Sequence, residues 1–508
     1  MRQSHLILSN ALIIWVCRVL LLVPQLILVP YLIGTIGEDG YGIYALVWSL
    51  MMSIDQLEKS LQSGVVKYSA GYLAQKHIDD TNKIISSSFI YSLLLAVIAS
   101  IVIFSVTPLF DESSGRIVYS LFVVGIMILF IIPMTPYIAI IQSLQFYYIG
   151  AISNTISKYL SLALIFIWFK FISPSVESLV IIMVTLLFFS RFIQIPIAYR
   201  FIPGLKNRLS LFDKNKFKLI FSFGGATVIA SLCLAFNYTG VRWLMNSLVS
   251  TAFVAHLAIM LMPKLLMEDL IGAVTLTAMP AASAYEALGN REMLKQLLVK
   301  GMRYTSILIY AGIIAAGLLL KSVLKIWVGS EYEFFAPYAF ILFASAGFML
   351  TTSIAHHILK GLGKLKIVVF IYFLGFVFIP ILLIFFVLKI WDDPYFAVTV
   401  GLASGYFICG SLNLIFCAKT VNAPLLNIIP LVYIQPFIIA ISVCLPIIVL
   451  FSCVDFESIF IKIIVAIFGI ILYFGGCYFF IASNNEKKHA IEYVKMIRKK
   501  ILSIRNKI

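Results

Sequence analysis

The chain has 508 residues, of which 62% are hydrophobic and only 12% charged, with a mean hydropathy of +1.05 and a formal net charge of +16. A soluble domain carries about 25% charged residues, and surface-to-volume scaling leaves a soluble fold of this size no room to hide so much apolar side chain. Lipid must be the solvent, and without the two-residue alternation of a membrane barrel the composition implies an all-α polytopic membrane protein.

The breaks in apolarity predict about 14 transmembrane helices, near residues 11–33, 42–72, 84–108, 117–141, 153–171, 177–200, 219–245, 252–281, 303–326, 336–357, 367–389, 395–417, 427–451 and 458–482. The first apolar run, Leu6 to Ile33, is too long for a signal-peptide core and lacks a small-residue cleavage pattern, so it reads as an uncleaved helix. Pro24 and Pro30 interrupt that span, and Pro133 and Pro136 the fourth, as mobile joints or static kinks. The second and eighth spans exceed what a bilayer needs and are expected to tilt or protrude.

Charge sets the orientation. Alternate connections, together with both ends of the chain, hold 25 of the 38 Lys and Arg residues, and the opposite set holds three, Arg116, Lys170 and Lys389. That asymmetry predicts an inner (plasma) membrane protein with both termini cytoplasmic. The opposite connections are acidic, with Glu38 and Asp39, Asp111 and Glu112, Glu331 and Glu333, Asp392 and Asp393, and Asp455 and Glu457. The positive charge is thus a topology signal, with attraction to anionic membrane lipid added, and implies no nucleic acid partner. The segment Glu486–Lys507 reads as a basic helix lying on the membrane surface or as a solvated basic tail. Seven scattered cysteines without a CxxC pair imply neither a disulfide framework nor a metal site.

No connection exceeds about twenty residues, so no soluble catalytic domain is present. No GxxxxGK[ST], HExxH or GxSxG motif occurs. A membrane-embedded glycan polymerase or ligase would need a large outer loop, and every predicted outer loop is short. The expectation is a transporter, not an enzyme, with no cofactor.

Charges inside the spans mark where a transporter does its work, because each costs at least ~2.5–3.5 kcal/mol at the bilayer centre. Lys158, Lys325 and Lys462 fall near span ends and read as snorkelling side chains, as Lys321 does. Asp55, Glu58 and Lys59 lie at mid-span on adjoining faces of one helix, and Lys264, Glu268 and Asp269 do the same in another. Asp55–Lys59 and Lys264–Glu268 can pair at i,i+4 spacing, which leaves Glu58 and Asp269 as surplus acids suited to proton or Na⁺ coupling. Static pairs holding helices together are the alternative. Arg18, Arg191 and Arg242 have no acid within one turn. Guanidinium groups in a cavity suit a phosphate or pyrophosphate headgroup, and pairing with neighbouring helices is the alternative. His256 is well inside a span and reads as a satisfied interior histidine or a group titrating near neutral pH.

A weak internal repeat sets YGIYALVWSLMM, Tyr41–Met52, beside FVAHLAIMLMPK, Phe253–Lys264. Each opens a helix carrying a mid-span charge cluster. The domain plan is then a six-helix lobe over 1–210, a second over 211–420, two further helices over 421–483 and a basic cytoplasmic tail over 484–508.

The stretch Val29–Ala70, with Gly37, Tyr41-Gly42-Ile43-Tyr44, Gly64, Tyr68 and Ala70, resembles the N-terminal signature of polysaccharide flippases in the multidrug/oligosaccharidyl-lipid/polysaccharide exporter superfamily. Gly224-Gly225, Arg242, Ala278–Pro280, Ala281-Ala282-Ser283 and Ile326-Trp327-Val328-Gly329 extend the likeness over most of the chain. The resemblance implies a cationic cavity, alternating access and passage of undecaprenyl-pyrophosphate-linked oligosaccharide units for O-antigen, lipopolysaccharide or capsule biosynthesis. Arg18 and Arg242 would face that cavity. Where the family often has an acid before Arg242, this chain has Val241. The expected headgroup residues are Arg18, Arg191, Arg242 and Lys264, and the expected coupling or cavity acids are Asp55, Glu58, Glu268 and Asp269. The implied partners are the lipid-linked substrate, membrane lipid, an H⁺ or Na⁺ counter-ion and a polysaccharide polymerase. A cation-coupled drug or metabolite exporter is the second reading, and a glycan polymerase or ligase the third.

Overall fold

The structure, a computed structural model, describes residues 2–107, 115–275, 278–453, 459–482 and 487. The expected basic tail and the acidic residues Asp111, Glu112, Asp455 and Glu457 lie outside the described residues. Most of those described are helical, and no strand occurs among them.

Twelve helical stretches among the described residues are long and apolar enough to cross a bilayer. The first, Ile13–Leu73, has 61 residues, about 90 Å at 1.5 Å per residue and far more than one crossing needs. It breaks at Gly37 (φ 74°, ψ 175°) into α1 (2–36) and α2 (38–74). Only glycine adopts such a conformation without strain. A further helix, Thr251–Thr275, has the length of a crossing but carries Lys264, Glu268 and Asp269. Counting both gives 14, the number expected from the sequence. In order they continue as α3 (Ile78–Val106), α4 (Gly115–Ser143), α5 (Tyr147–Phe171), α6 (Val176–Phe201) and α7 (214–248). Next come α8 (Thr251–Thr275), α9 (Arg291–Trp327), α10 (Ser330–Gly361), α11 (Leu365–Trp391), α12 (Pro394–Thr420), α13 (425–453) and α14 (459–481).

An even number of crossings puts the start of α1 and the end of α14 on one side, here the terminal face. The helix passes through Pro24 and Pro30, and the break comes at Gly37 instead. Pro133 marks a 3₁₀ turn at Ile132–Met134 within α4. The longest member of the later half is α9, with 37 residues; beyond the eighth helix, described over Thr251–Thr275, a further helical segment is described over Ala278–Ala287.

Large apolar side chains such as Ile98, Phe130, Phe171, Phe386 and Ile471 are exposed on the outside, as lipid requires. The interior is polar in places, with buried Ser49, Glu58, Thr135, Arg242 and Lys264. The first six helices meet the next six along a seam where α2 runs against α7. There Ser60 and Ser231 hydroxyls bond at 2.7 Å, Thr239 donates to the Ser49 carbonyl at 2.6 Å, and Ser53 bonds Thr239. Helices α13 and α14 pack on α9 around Ile314, Ala440 and Tyr473.

Candidate functional site

Between the two sets of helices lies a cavity of about 560 Å³. One face of α2 forms its long wall: Tyr41, Tyr44, Ala45, Trp48, Met52, Asp55, Lys59 and Gln62 recur at the three- and four-residue spacing that puts helical side chains on one side. Helices α4, α5 and α6 add Gln142, Asn154, Lys158, Arg191 and Gln194, and α7 and α8 add Tyr238, Arg242, Met262, Glu268 and Asp269. On the terminal side the lining reaches Gln142 and Gly150, near the ends of α4 and α5. On the opposite side it stops at Tyr41. There the backbones of α2 and α8 touch, and a Cβ added at Gly42 would sit 2.1 Å from the Thr251 carbonyl oxygen.

The charges in the cavity are mostly paired. Glu58, 1% exposed, takes an ion pair from Arg191 and a hydrogen bond from the Thr135 hydroxyl at 3.1 Å. Asp55 pairs with Lys59 at 2.6 Å and lies 3.7 Å from Arg191. Glu268 accepts from Lys264 at 2.7 Å. Lys264 itself sits behind the cavity wall, 2% exposed, with the Tyr238 and Tyr406 rings 4.8 and 5.4 Å from its ammonium. The Glu58–Arg191 pair is nearly dry, which desolvates both ions and is tolerable because each is hydrogen-bonded.

Two cations are left over. Arg242 is 5% exposed, and among the described residues no carboxylate lies within ion-pair distance of it. Its Nη1 donates to the Tyr238 carbonyl at 3.0 Å, and its buried Nε has no partner among the described residues. A π-helical turn at Phe236–Gly240 ends two residues before Arg242 and offsets the helix register there. Lys158 stands 3.8 Å from the centre of the Trp48 ring, a cation–π contact, and no carboxylate among the described residues pairs with it. Trp48 stacks in turn on Tyr44 (6.1 Å, 21°), and Tyr44 neighbours Tyr41.

The structure therefore gathers Asp55, Glu58, Arg191, Arg242, Glu268 and Asp269 around one cavity, and leaves Arg18 and Lys264 outside its lining. Arg18 donates to the main-chain oxygen of Asp269, joining α1 to α8. Glu58 is not a surplus acid, because Arg191 on another helix neutralises it. Asp269 remains without an ion pair or side-chain hydrogen bond in the described structure.

Lys158 does not snorkel. Sequence reasoning placed it near a span end because the apolar run was begun at 153, but the helix starts at Tyr147, which puts Lys158 close to mid-helix. The signal available was a lone lysine among Ser157 and Ser161, a polar stripe at helical spacing.

No known family model matches the chain, and no curated protein matches it in sequence. Solved structures do match in shape. An inward-facing multidrug resistance MATE family transporter of the MOP superfamily superposes with a TM-score of 0.65 at 13% identity, over 83% of this chain and 98% of its own. The chain has the MATE fold. A MOP superfamily transporter from Pyrococcus furiosus, described as having a binding pocket of reversed polarity, matches with a TM-score of 0.62 at 13% identity, over 82% of this chain and 96% of its own. A Vibrio cholerae MATE transporter mutant matches with a TM-score of 0.59 at 12% identity, over 83% of this chain and 97% of its own. At such identities the likeness is one of fold.

Proposed function

We propose that this chain is a flippase that moves undecaprenyl-pyrophosphate-linked oligosaccharide units across the bacterial inner membrane by alternating access. The observation that carries the reading is the pair of cations without carboxylate partners, Arg242 and Lys158, lining one cavity beside Trp48, Tyr44 and Tyr41. A buried guanidinium with an unpartnered Nε is poised to donate to a phosphate oxygen. Aromatic faces next to it suit the apolar faces of sugar rings. In this reading the termini are cytoplasmic, the cavity opens to the cytoplasm, and the products feed O-antigen, lipopolysaccharide or capsule assembly with a polysaccharide polymerase as partner. The two lobes, 1–210 and 211–420, rock about the α2–α7 seam.

A second reading, a cation-coupled drug or metabolite exporter, draws on Asp269, the cavity carboxylate that lacks an ion-pair partner, and on the fold shared with multidrug transporters. Asp269 serves the flippase reading equally well as a site for H⁺ or Na⁺ coupling.

The deciding experiment asks which membrane leaflet holds the lipid-linked glycans in a strain lacking the protein. A membrane-impermeant glycan label on intact spheroplasts reads the outer leaflet. Units retained on the inner leaflet, with surface polysaccharide lost, support flipping. Normal labelling with normal surface glycan rejects it in favour of small-molecule export.

A further inference from the structure

Four groups meet at the face away from the termini, and the cavity chemistry uses none of them. Glu38 opens α2 just after the Gly37 break. His256 lies in the second turn of α8. Tyr332 belongs to the short turn that begins α10, and Tyr395 to the first turn of α12. His256 Nε2 is 3.0 Å from one Glu38 carboxylate oxygen, and the Tyr332 hydroxyl donates to the other at 2.5 Å. His256 Nδ1 shares a 2.7 Å hydrogen bond with the Tyr395 hydroxyl. The Phe335 ring stacks near the imidazole at 4.8 Å, and Phe253 packs on Tyr395 at 4.7 Å. His256 is 15% exposed and Glu38 38%, so solvent reaches the carboxylate edge.

The placement matters more than the cluster. Glu38 belongs to the first six helices, and the other three to the second six. The contact lies one turn beyond the Gly42–Thr251 backbone touch and closes the cavity on this side. Any motion that opens this face must part Glu38 from His256 and Tyr332.

We propose that Glu38, His256, Tyr332 and Tyr395 form a proton-sensitive latch that holds the face away from the termini shut. With a neutral imidazole, Nε2–H donates to Glu38 and the Tyr395 hydroxyl donates to Nδ1. With a protonated ring, the proton sits on Nδ1, the Tyr395 oxygen becomes the acceptor, and the Glu38 contact becomes a charge-assisted ion pair across the lobes. Imidazoles as a class change charge between about pH 5 and 8. The other charged groups on the packed elements are acids: Asp39 beside Glu38, Glu331 near Tyr332, and Asp393 near Tyr395. Lys321 and Lys325 on the nearby rim are engaged by Glu333. Acid outside therefore favours the closed latch, and a neutral exterior releases it.

The latch presupposes the rocking motion proposed above but not the identity of the cargo. The test uses the full chain in lipid nanodiscs, its native cysteines replaced, with spin labels at positions 172 and 391. These exposed positions lie at the same face on different lobes. Pulsed-dipolar distances are read from pH 5 to 8 in the parent, H256Q and E38Q. The open population in the parent should rise by roughly fivefold with pH, the equivalent of exchanging a charged for a neutral hydrogen bond. In H256Q and E38Q it should be pH-independent. A pH-dependent opening that survives both substitutions overturns the latch alone. A distance that never changes overturns the latch and the rocking motion together.

Discussion

Replacing Glu58 by glutamine (E58Q) leaves the Arg191 guanidinium inside the protein without its closest counter-charge. The pair is nearly dry, with side chains 12% and 1% exposed. Removing one partner of a buried ion pair costs about 3–5 kcal/mol, because the other charge stays desolvated. Asp55 lies 3.7 Å from Arg191, but it is 40% exposed and already shared with Lys59 at 2.6 Å, so it recovers only part of the loss. An effect near the lower end, about 3 kcal/mol, is expected. Replacing both residues, E58Q with R191M, removes the stranded charge and should restore most of the stability. The assay is reversible unfolding in mixed micelles of the parent, both single variants and the double variant, analysed as a cycle. A coupling of at least about 2 kcal/mol is expected for groups in direct contact. E58Q within about 0.5 kcal/mol of the parent, or additive single effects, would refute the reasoning and show that water enters between the two side chains.

Other substitutions separate stability from function. R242Q removes a buried charge that has no carboxylate partner, so melting temperature should hold or rise while flipping of the lipid-linked substrate falls at least tenfold; scanning fluorimetry and the leaflet-labelling assay read the two effects. K158Q should weaken binding of a soluble pyrophosphate-sugar in calorimetry by roughly 1–2 kcal/mol and reduce its salt dependence, with unchanged binding counting against the cavity assignment. D269N should leave substrate binding intact but make transport in vesicles insensitive to an imposed H⁺ or Na⁺ gradient. Gly42→Ala puts a Cβ 2.1 Å from the Thr251 carbonyl. Helices α2 and α8 must then part, and labelling of engineered cysteines near Tyr41 from the face away from the termini should increase.

Much of the plan could be read from residues alone. The number of crossings, and the charge asymmetry of the connections, follow from bilayer thickness and the cost of charge in lipid, which act on every segment separately. The segments Tyr41–Met52 and Phe253–Lys264, set side by side in the sequence, open α2 and α8, which touch at Gly42 and Thr251. Local pairing was read correctly where it is local: Asp55–Lys59 and Lys264–Glu268 form at i,i+4 spacing as the sequence implies.

What the sequence could not decide is which charges meet across helices. Arg191 and Glu58 are 133 residues apart in sequence and pair with each other. Arg18 caps a main-chain oxygen of α8 instead of facing the cavity. Lys158, read as a side chain reaching for the membrane surface, lies against Trp48 inside. Periodicity gives the face a residue shows along its own helix, because that depends only on neighbours in sequence, whereas depth also needs the helix start, as Lys158 shows. The partner of a buried charge depends on how helices rotate and cross, and only the tertiary structure sets that.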